Sequence, residues 1–315
     1  MTETIAVVCS DLHLWLTPPR SRAEKDTWKE VMADHLGEVS VLSGSGMEGP
    51  VPVIIAGDIF DRWYPVPELI NFTIDQFRIM RDVYAIPGQH DLPNHRYDEM
   101  HRSGYGSLVR AGAIKDLRKP TLIGDDDAAA VLYPFPWGSE ITAPESIPDD
   151  EPGVINVAVI HAYAWQEGYS YPTAPVNQNV SKHLEKLAGY DTAIFGDNHK
   201  GFDTVGSPFI FNCGGFMRRH SNEQKYRPRV GLLQSDGTVV SHYLQAAETD
   251  QWVEDAIEFE PEVGDFTEYF AALSDTESNH IDFEQTLRRA AKEEHVCSDV
   301  QDEVMLIVDE CNKEN

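Results

Sequence analysis

Five apolar, largely β-branched runs, IAVVCS, VPVIIA, DVYAIP, INVAVI and TAIF, each close on an acidic or histidine-bearing motif. In chain order these motifs are Asp11-Leu12-His13, Gly57-Asp58-Ile59-Phe60-Asp61, Gly88-Gln89-His90-Asp91, His161 and Gly196-Asp197-Asn198-His199. Runs of this kind bounded by Gly, Asp and Pro read as strands, and an open α/β sheet collects its ligands at strand ends. A chain that repeats the pattern five times is constrained to bring distant carboxylates and imidazoles to one edge.

The intervening segments supply the helices of such a fold. Arg22–Leu36 has helical spacing, and Pro67–Val83 carries Leu69, Ile70, Ile74, Phe77 and Met80 as an apolar stripe. Ser103–Ala111 and Ser181–Leu187 read as shorter helices, the latter capped by Ser181. Strands are expected at 5–9, Val51–Ala56, Tyr84–Ile86, Val131–Phe135, Val154–Ile160, Thr192–Phe195, Phe209–Asn212, Arg229–Gln234 and Val239–Tyr243. Early alternation followed by a strand-rich half predicts an α/β chain, a layered β-sandwich flanked by helices. Ser43–Gly46 and Gly138–Gly153 read as surface loops.

Composition changes after Tyr243, so a catalytic domain is expected over 1–245 and a small acidic, partly helical C-terminal appendage over 246–315. Phe283–His295 and Ser298–Asn312 have the spacing of amphipathic helices, suited either to a cap on the core or to docking a partner.

The formal charge of −28 argues at first sight against nucleic acid as a partner. From Ser241 onward, however, 21 acids face four Lys or Arg, leaving only −11 for residues 1–240. An acidic, Lys-poor surface also suits a saline cytoplasm, where electrostatic repulsion reaches only a few ångströms. No apolar run is long enough for a membrane span, and no leader pattern opens the chain, which predicts a soluble cytoplasmic protein with no membrane partner. Cys9, Cys213, Cys297 and Cys311 form neither a disulfide framework nor a zinc-thiolate pattern, and Cys9 reads as a buried strand residue.

The motifs fit the needs of phosphodiester hydrolysis: an activated water, neutralised phosphoryl charge and a proton for the leaving oxygen. Two divalent ions supply the first two. Asp58, with two carboxylate oxygens, suits a bridge between them. Asp11 and His13, alternating along an extended segment, would grip one ion from the same side, and Asp197 and His199 would repeat that geometry. Gln89 offers an amide oxygen and His161 a ring nitrogen. His90 would then protonate the leaving group, with Asp91 orienting its imidazole.

These motifs resemble the calcineurin-like metallophosphoesterase superfamily, whose pattern is DxH, GDxxD, GNHD, a lone H and GHxH, over roughly the first three quarters of the chain. Within it the chain is most similar to the SbcD-type double-strand-break repair nucleases and their viral relatives, through Ala56–Asp61, Pro87–His95 and Asn212–Arg219. The resemblance implies one metal held by Asp11, His13, Asp58 and His199 and a second by Asp58, Gln89, His161 and Asp197, with His90 as proton donor. It also implies DNA as substrate and an SbcC-like coiled-coil ATPase subunit as partner; a homodimer is a separate expectation. Gln89 stands where the family has Asn, and Asp197 where it has the first His of GHxH. Both changes enrich the second site in oxygen, favouring Mn²⁺ or Mg²⁺ over zinc.

Arg218 and Arg219, in the basic run reaching to Arg229, read either as a clamp on the phosphate backbone or as a solvated hairpin. Tyr64, Tyr97, Tyr163 and Trp165 follow motif residues and read either as base-stacking or as packing residues. Beside a DNA exonuclease or endonuclease stand two other readings: a phosphatase or small-molecule phosphodiesterase on the same scaffold, and a non-catalytic scaffold.

Overall fold

The computed structural model describes residues 2–44, 49–124, 128–144, 153–170 and 174–253. The chain divides into two units, Met1–Ala256 and Ile257–Asn315, and every described residue belongs to the first. The predicted helices Phe283–His295 and Ser298–Asn312 lie outside the described residues.

The first half alternates: β1 (Thr4–Cys9), α1 (Trp28–Ser43), β2 (Val53–Ala56), α2 (Pro67–Arg78), β3 (Val83–Ile86), α3 (Gly104–Arg110) and β4 (Lys115–Asp116). The rest is strand-rich: β5 (Thr121–Gly124), β6 (Ala129–Phe135), β7 (Val154–His161), β8 (Thr192–Gly196), β9 (Phe202–Thr204), β10 (Phe209–Asn212), β11 (Arg229–Gln234) and β12 (Val239–Tyr243). They form two six-stranded sheets, ordered β12-β11-β1-β2-β3-β4 and β5-β6-β7-β8-β10-β9. β1 to β4 run parallel, as do β6, β7, β8 and β10, while antiparallel strands border each parallel block. This is the expected α/β sandwich with helices outside.

Strand alternation sorts the core. Ala6, Val8, Ile54 and Ala56 of the first sheet share one buried cluster with Leu132, Val157, Val159, Ile194 and Phe211 of the second. The opposite side chains, Val7, Cys9, Val53 and Ile55, pack under the helices against Met32, Leu36, Leu69, Phe77 and Leu108. Both Cys9 and Cys213 are buried free thiols. No helix among the described residues is long and apolar enough to cross a membrane.

The first helix departs from its expected span. It begins at Trp28, not Arg22, because Arg22 is drawn into a buried network instead. Its guanidinium pairs with Glu24 at 2.7 Å and Asp250 at 2.5 Å and lies over the rings of Trp28, at 5.0 Å, and Trp252, at 5.3 Å. Burying a charge is costly unless it is paired and hydrogen-bonded, so tertiary pairing overrides helical spacing here. Around Ser181 only a 3-10 turn forms, Val180–Lys182, and its cap is the side chain of Asn179. At the helix starting at Gly104 the spacing holds, and the Ser103 hydroxyl caps it by accepting the Gly106 N–H.

Candidate metal centre

The loops following β1 and β2 remain hydrogen-bonded to one another beyond the sheet. Asp11 N–H donates to the Gly57 carbonyl, His13 N–H to Asp58 and Leu14 N–H to Ile59, at 2.9 to 3.0 Å. Asp11, His13 and Asp58 have positive φ values of 53°, 43° and 55°, and Asp197 one of 82°. The expectation that Asp11 and His13 reach the same side by alternating along an extended segment is therefore corrected: left-handed turns swing them over the strand ends. Asp and His tolerate that backbone better than most residues.

The turned side chains converge. Ligand atoms of Asp11, His13 and His199 lie within 4.8 Å of one another, as do those of His13, Asp58 and His90, and of Asp11, Asp58 and His161. Asp58 stands at the centre. Its Oδ1 accepts the His90 N–H at 2.9 Å, whereas its Oδ2 is buried without a hydrogen bond, 3.4 Å from His161 Nε2 and 3.7 Å from His13 Nε2. His13 Nε2 and His199 Nε2 face each other at 3.1 Å. Gln89 Oε1 lies 2.8 Å from His161 Nε2, and Gln89 Nε2 donates to Asp197 Oδ1 at 2.6 Å.

Three glycines make room for His161. A Cβ on Gly57, Gly88 or Gly196 would run into its imidazole, and the one on Gly88 would also strike the Asp58 carboxylate. The ring is oriented by its other nitrogen, since Nδ1 lies 2.6 Å from the Ala56 carbonyl and donates to it. That leaves Nε2 for the centre.

The electrostatics fit a cation site. Burial pushes the Asp11 carboxyl up to about 6, against the pull of His199 and His161. Burial likewise opposes charge on His13, whose pKa falls well below the ordinary imidazole range. Burial would also raise Asp58, but His161 and His13 hold it well below the usual carboxylate range. An orphaned buried carboxylate oxygen, imidazole nitrogens turned inward and an amide oxygen form a donor set of the kind that binds divalent transition metals.

Two expected roles change. Asp91 does not orient the His90 ring. It is fully buried, and its carboxylate accepts the N–H groups of Ile59, Phe60 and Gly88 at 3.1 to 3.2 Å. Burial and the neighbouring Asp58 charge raise its pKa to about 7, with those amides opposing. His90 is exposed, and its Nδ1 donates instead to the Asp61 carbonyl at 2.7 Å.

Nor do Arg218 and Arg219 form a paired clamp. Arg218 is spent on the fold, its guanidinium reaching Asp250 Oδ2 at 2.7 Å and the carbonyls of Gln224 and Ala247. Arg219 faces the centre, pairing with Asp61 at 2.5 Å, and Asp61 in turn lies 3.7 Å from His13. Of the aromatic residues, Tyr97 is taken up by Asp116 and Trp165 by the Pro175 carbonyl. Tyr64 is half exposed and packs edge-on against Trp15 and Trp63, with Arg62 over the Trp15 ring.

Two further residues contribute to the centre. Asp61 links His90, Arg219 and His13, and the last position of the Gly57–Asp61 motif was the available signal. The Ser10 hydroxyl donates to Asp11, a contact that no spacing announces.

The family model for calcineurin-like phosphoesterases matches residues 6–201, and the chain belongs to that family of metal-dependent hydrolases. Among solved structures the chain is similar to an archaeal phosphodiesterase, at 12% identity and a TM-score of 0.38, over 78% of this chain and 100% of that one. It is also similar to the phosphopantetheinyl hydrolase of Mycobacterium tuberculosis, at 15% identity and a TM-score of 0.41, over 71% of this chain and 93% of that one. No curated protein matches the sequence.

Proposed function

We propose that this phosphoesterase is a two-metal phosphodiester hydrolase that cuts DNA in replication, recombination or repair, an SbcD-type nuclease working with Mn²⁺. The observation that carries the reading is the convergence on Asp58: its unbonded Oδ2 lies 3.4 Å from His161 Nε2 and 3.7 Å from His13 Nε2, so this carboxylate would help to hold the ions beside both imidazoles. Asp11 and His199 would complete the first site, with Gln89 and His161 at the second. Divalent ions held there would supply charge neutralisation for the phosphoryl group and a more acidic water.

The chain's own residues do the rest. With Nδ1 donating to Asp61, His90 presents Nε2 from an exposed ring, so in its charged form it can give a proton to the leaving oxygen. Arg219 adds a fixed positive charge beside His13. Trp15, Trp63 and Tyr64 offer ring faces and edges next to the motif loops, and stacking on aromatic rings tolerates any base. The net charge of −28 favours the rival, a hydrolase of small phosphodiesters, because it repels a polyanion at low salt.

The test incubates the full chain and His90→Ala with labelled linear DNA, and separately with a small chromogenic diester, in Mn²⁺ at low and high salt. Cleavage of DNA by wild type, lost in the variant, is expected. Hydrolysis of the small diester with intact DNA at every salt concentration would establish the rival. Inactivity on both would leave the scaffold.

A further inference from the structure

Gln89 and Asp197 are the two departures from the resembled motif pattern, and they touch. Gln89 Nε2 donates to Asp197 Oδ1 at 2.6 Å across 108 positions of sequence. A carboxylate only accepts, while a primary amide has one donor end and one acceptor end. Asp197 therefore permits one orientation of the Gln89 amide, with Oε1 turned to the corner where His161 Nε2 and Asp58 Oδ2 stand 3.4 Å apart. Reversing the amide would press two oxygens together. The Asp197 backbone is anchored too, its N–H donating to both Asp11 carboxylate oxygens at 3.1 Å. Among the described residues, the clusters able to hold a metal through His, Cys, Asp or Glu include Asp11, Asp58 and His161 but not Asp197.

We infer that Asp197 is a positioning residue rather than a metal ligand: it clamps the Gln89 amide so that Oε1 joins Asp58 and His161 in holding the second ion. The two departures are then one coupled exchange. Glutamine's extra methylene adds a torsion that must be frozen for its oxygen to bind, and the carboxylate at 197 freezes it. The inference rests on the two-metal reading above.

The test is calorimetric titration of the full-length wild type, Asp197→Asn, Asp197→Ala, Gln89→Asn, Asp197→His and the Gln89→Asn/Asp197→His double variant with Mn²⁺, alongside metal-free melting curves. Wild type should bind two ions. Asp197→Asn, whose carbonyl oxygen still accepts the Gln89 N–H, should hold the second ion within about fivefold of wild type, the difference between a charged and a neutral acceptor. Asp197→Ala should weaken that ion by about 10- to 100-fold, the usual effect of losing a group that orients a ligand, and leave the first unchanged. The double variant should bind the second ion more tightly than either Gln89→Asn or Asp197→His alone, a comparison that holds even if Asp197→Ala melts early. Equal losses in Asp197→Asn and Asp197→Ala would overturn the role, as would no loss in Asp197→Ala or additive effects in the double variant. A single ion in wild type would overturn the two-metal reading and this role with it.

Discussion

The carboxylate of Asp91 rests on the backbone N–H of Phe60 at 3.1 Å, and so the fourth residue of one motif holds the loop of another in shape. Replacing Asp91 with Ala would strand three buried N–H groups, those of Ile59, Phe60 and Gly88. Each unsatisfied buried group costs about 1–3 kcal/mol. Asp91→Ala should thus lower unfolding stability by about 3 kcal/mol or more by that reckoning, with Asp91→Asn between it and wild type. Urea denaturation measures this; an unchanged midpoint with lower activity would return Asp91 to the role of orienting His90.

His161 depends on the absence of side chains around it. Gly57 has a φ of 94°, and an added Cβ there or at Gly88 meets the imidazole. Gly57→Ala should displace the ring, and Gly88→Ala the ring and the Asp58 carboxylate, so each should retain less Mn²⁺ than wild type, read by elemental analysis after dialysis. Gly112→Ala, at a similarly positive φ but in open space, is the control for backbone strain alone.

Arg218 and Arg219 should separate in their effects. Arg218 is 14% exposed and pairs with an Asp250 that is 1% exposed. Removing one partner of a buried pair costs about 3–5 kcal/mol when it strands the other charge; Arg22 still pairs with Asp250, so Arg218→Ala should cost less than that and show mainly as lost thermal stability. Arg219→Ala should melt near wild type but bind DNA more weakly, with a salt slope shallower by about 1. Equal loss on DNA and on a small diester would remove Arg219 from substrate binding.

Acid should loosen the segment 242–251 first. Burial would raise Glu24 and Glu38, but hydrogen bonds hold both below the ordinary value of 4.5: Arg22 and the Gln251 N–H for Glu24, the Gln245 N–H and His242 for Glu38. A carboxylate with a depressed folded pKa stabilises above its unfolded pKa, and that contribution fades as pH falls through the folded value. Melting temperature should fall more steeply below pH 4.5 in wild type than in Glu38→Gln, whose side chain does not titrate. Parallel curves would deny Glu38 this part.

The strand-end motifs were legible because β-branched runs and the polar residues closing them are local signals. They located β1, β3, β7 and β8 within a residue and brought Asp11, His13, Asp58, His161 and His199 to one place. What stayed hidden was tertiary. Nothing in the spacing of residues 22–36 reveals that Arg22 will leave a helix to meet Asp250, 228 positions away. The destination of Arg218 was concealed for the same reason, since basic clusters look alike whether they face solvent or a buried acid. The left-handed turns at Asp11, His13 and Asp58 leave no periodicity to read.

Those turns carry an implication for how such a chain can diversify. Because Asp11, His13, Asp58 and Asp197 hold backbone angles that β-branched residues resist, the repertoire open to drift at these places is narrowed by the main chain before any ion exerts its preference. A descendant that abandoned hydrolysis would still tend to carry Asp, Asn, His or Gly there, so an inherited motif can outlast the chemistry it once served.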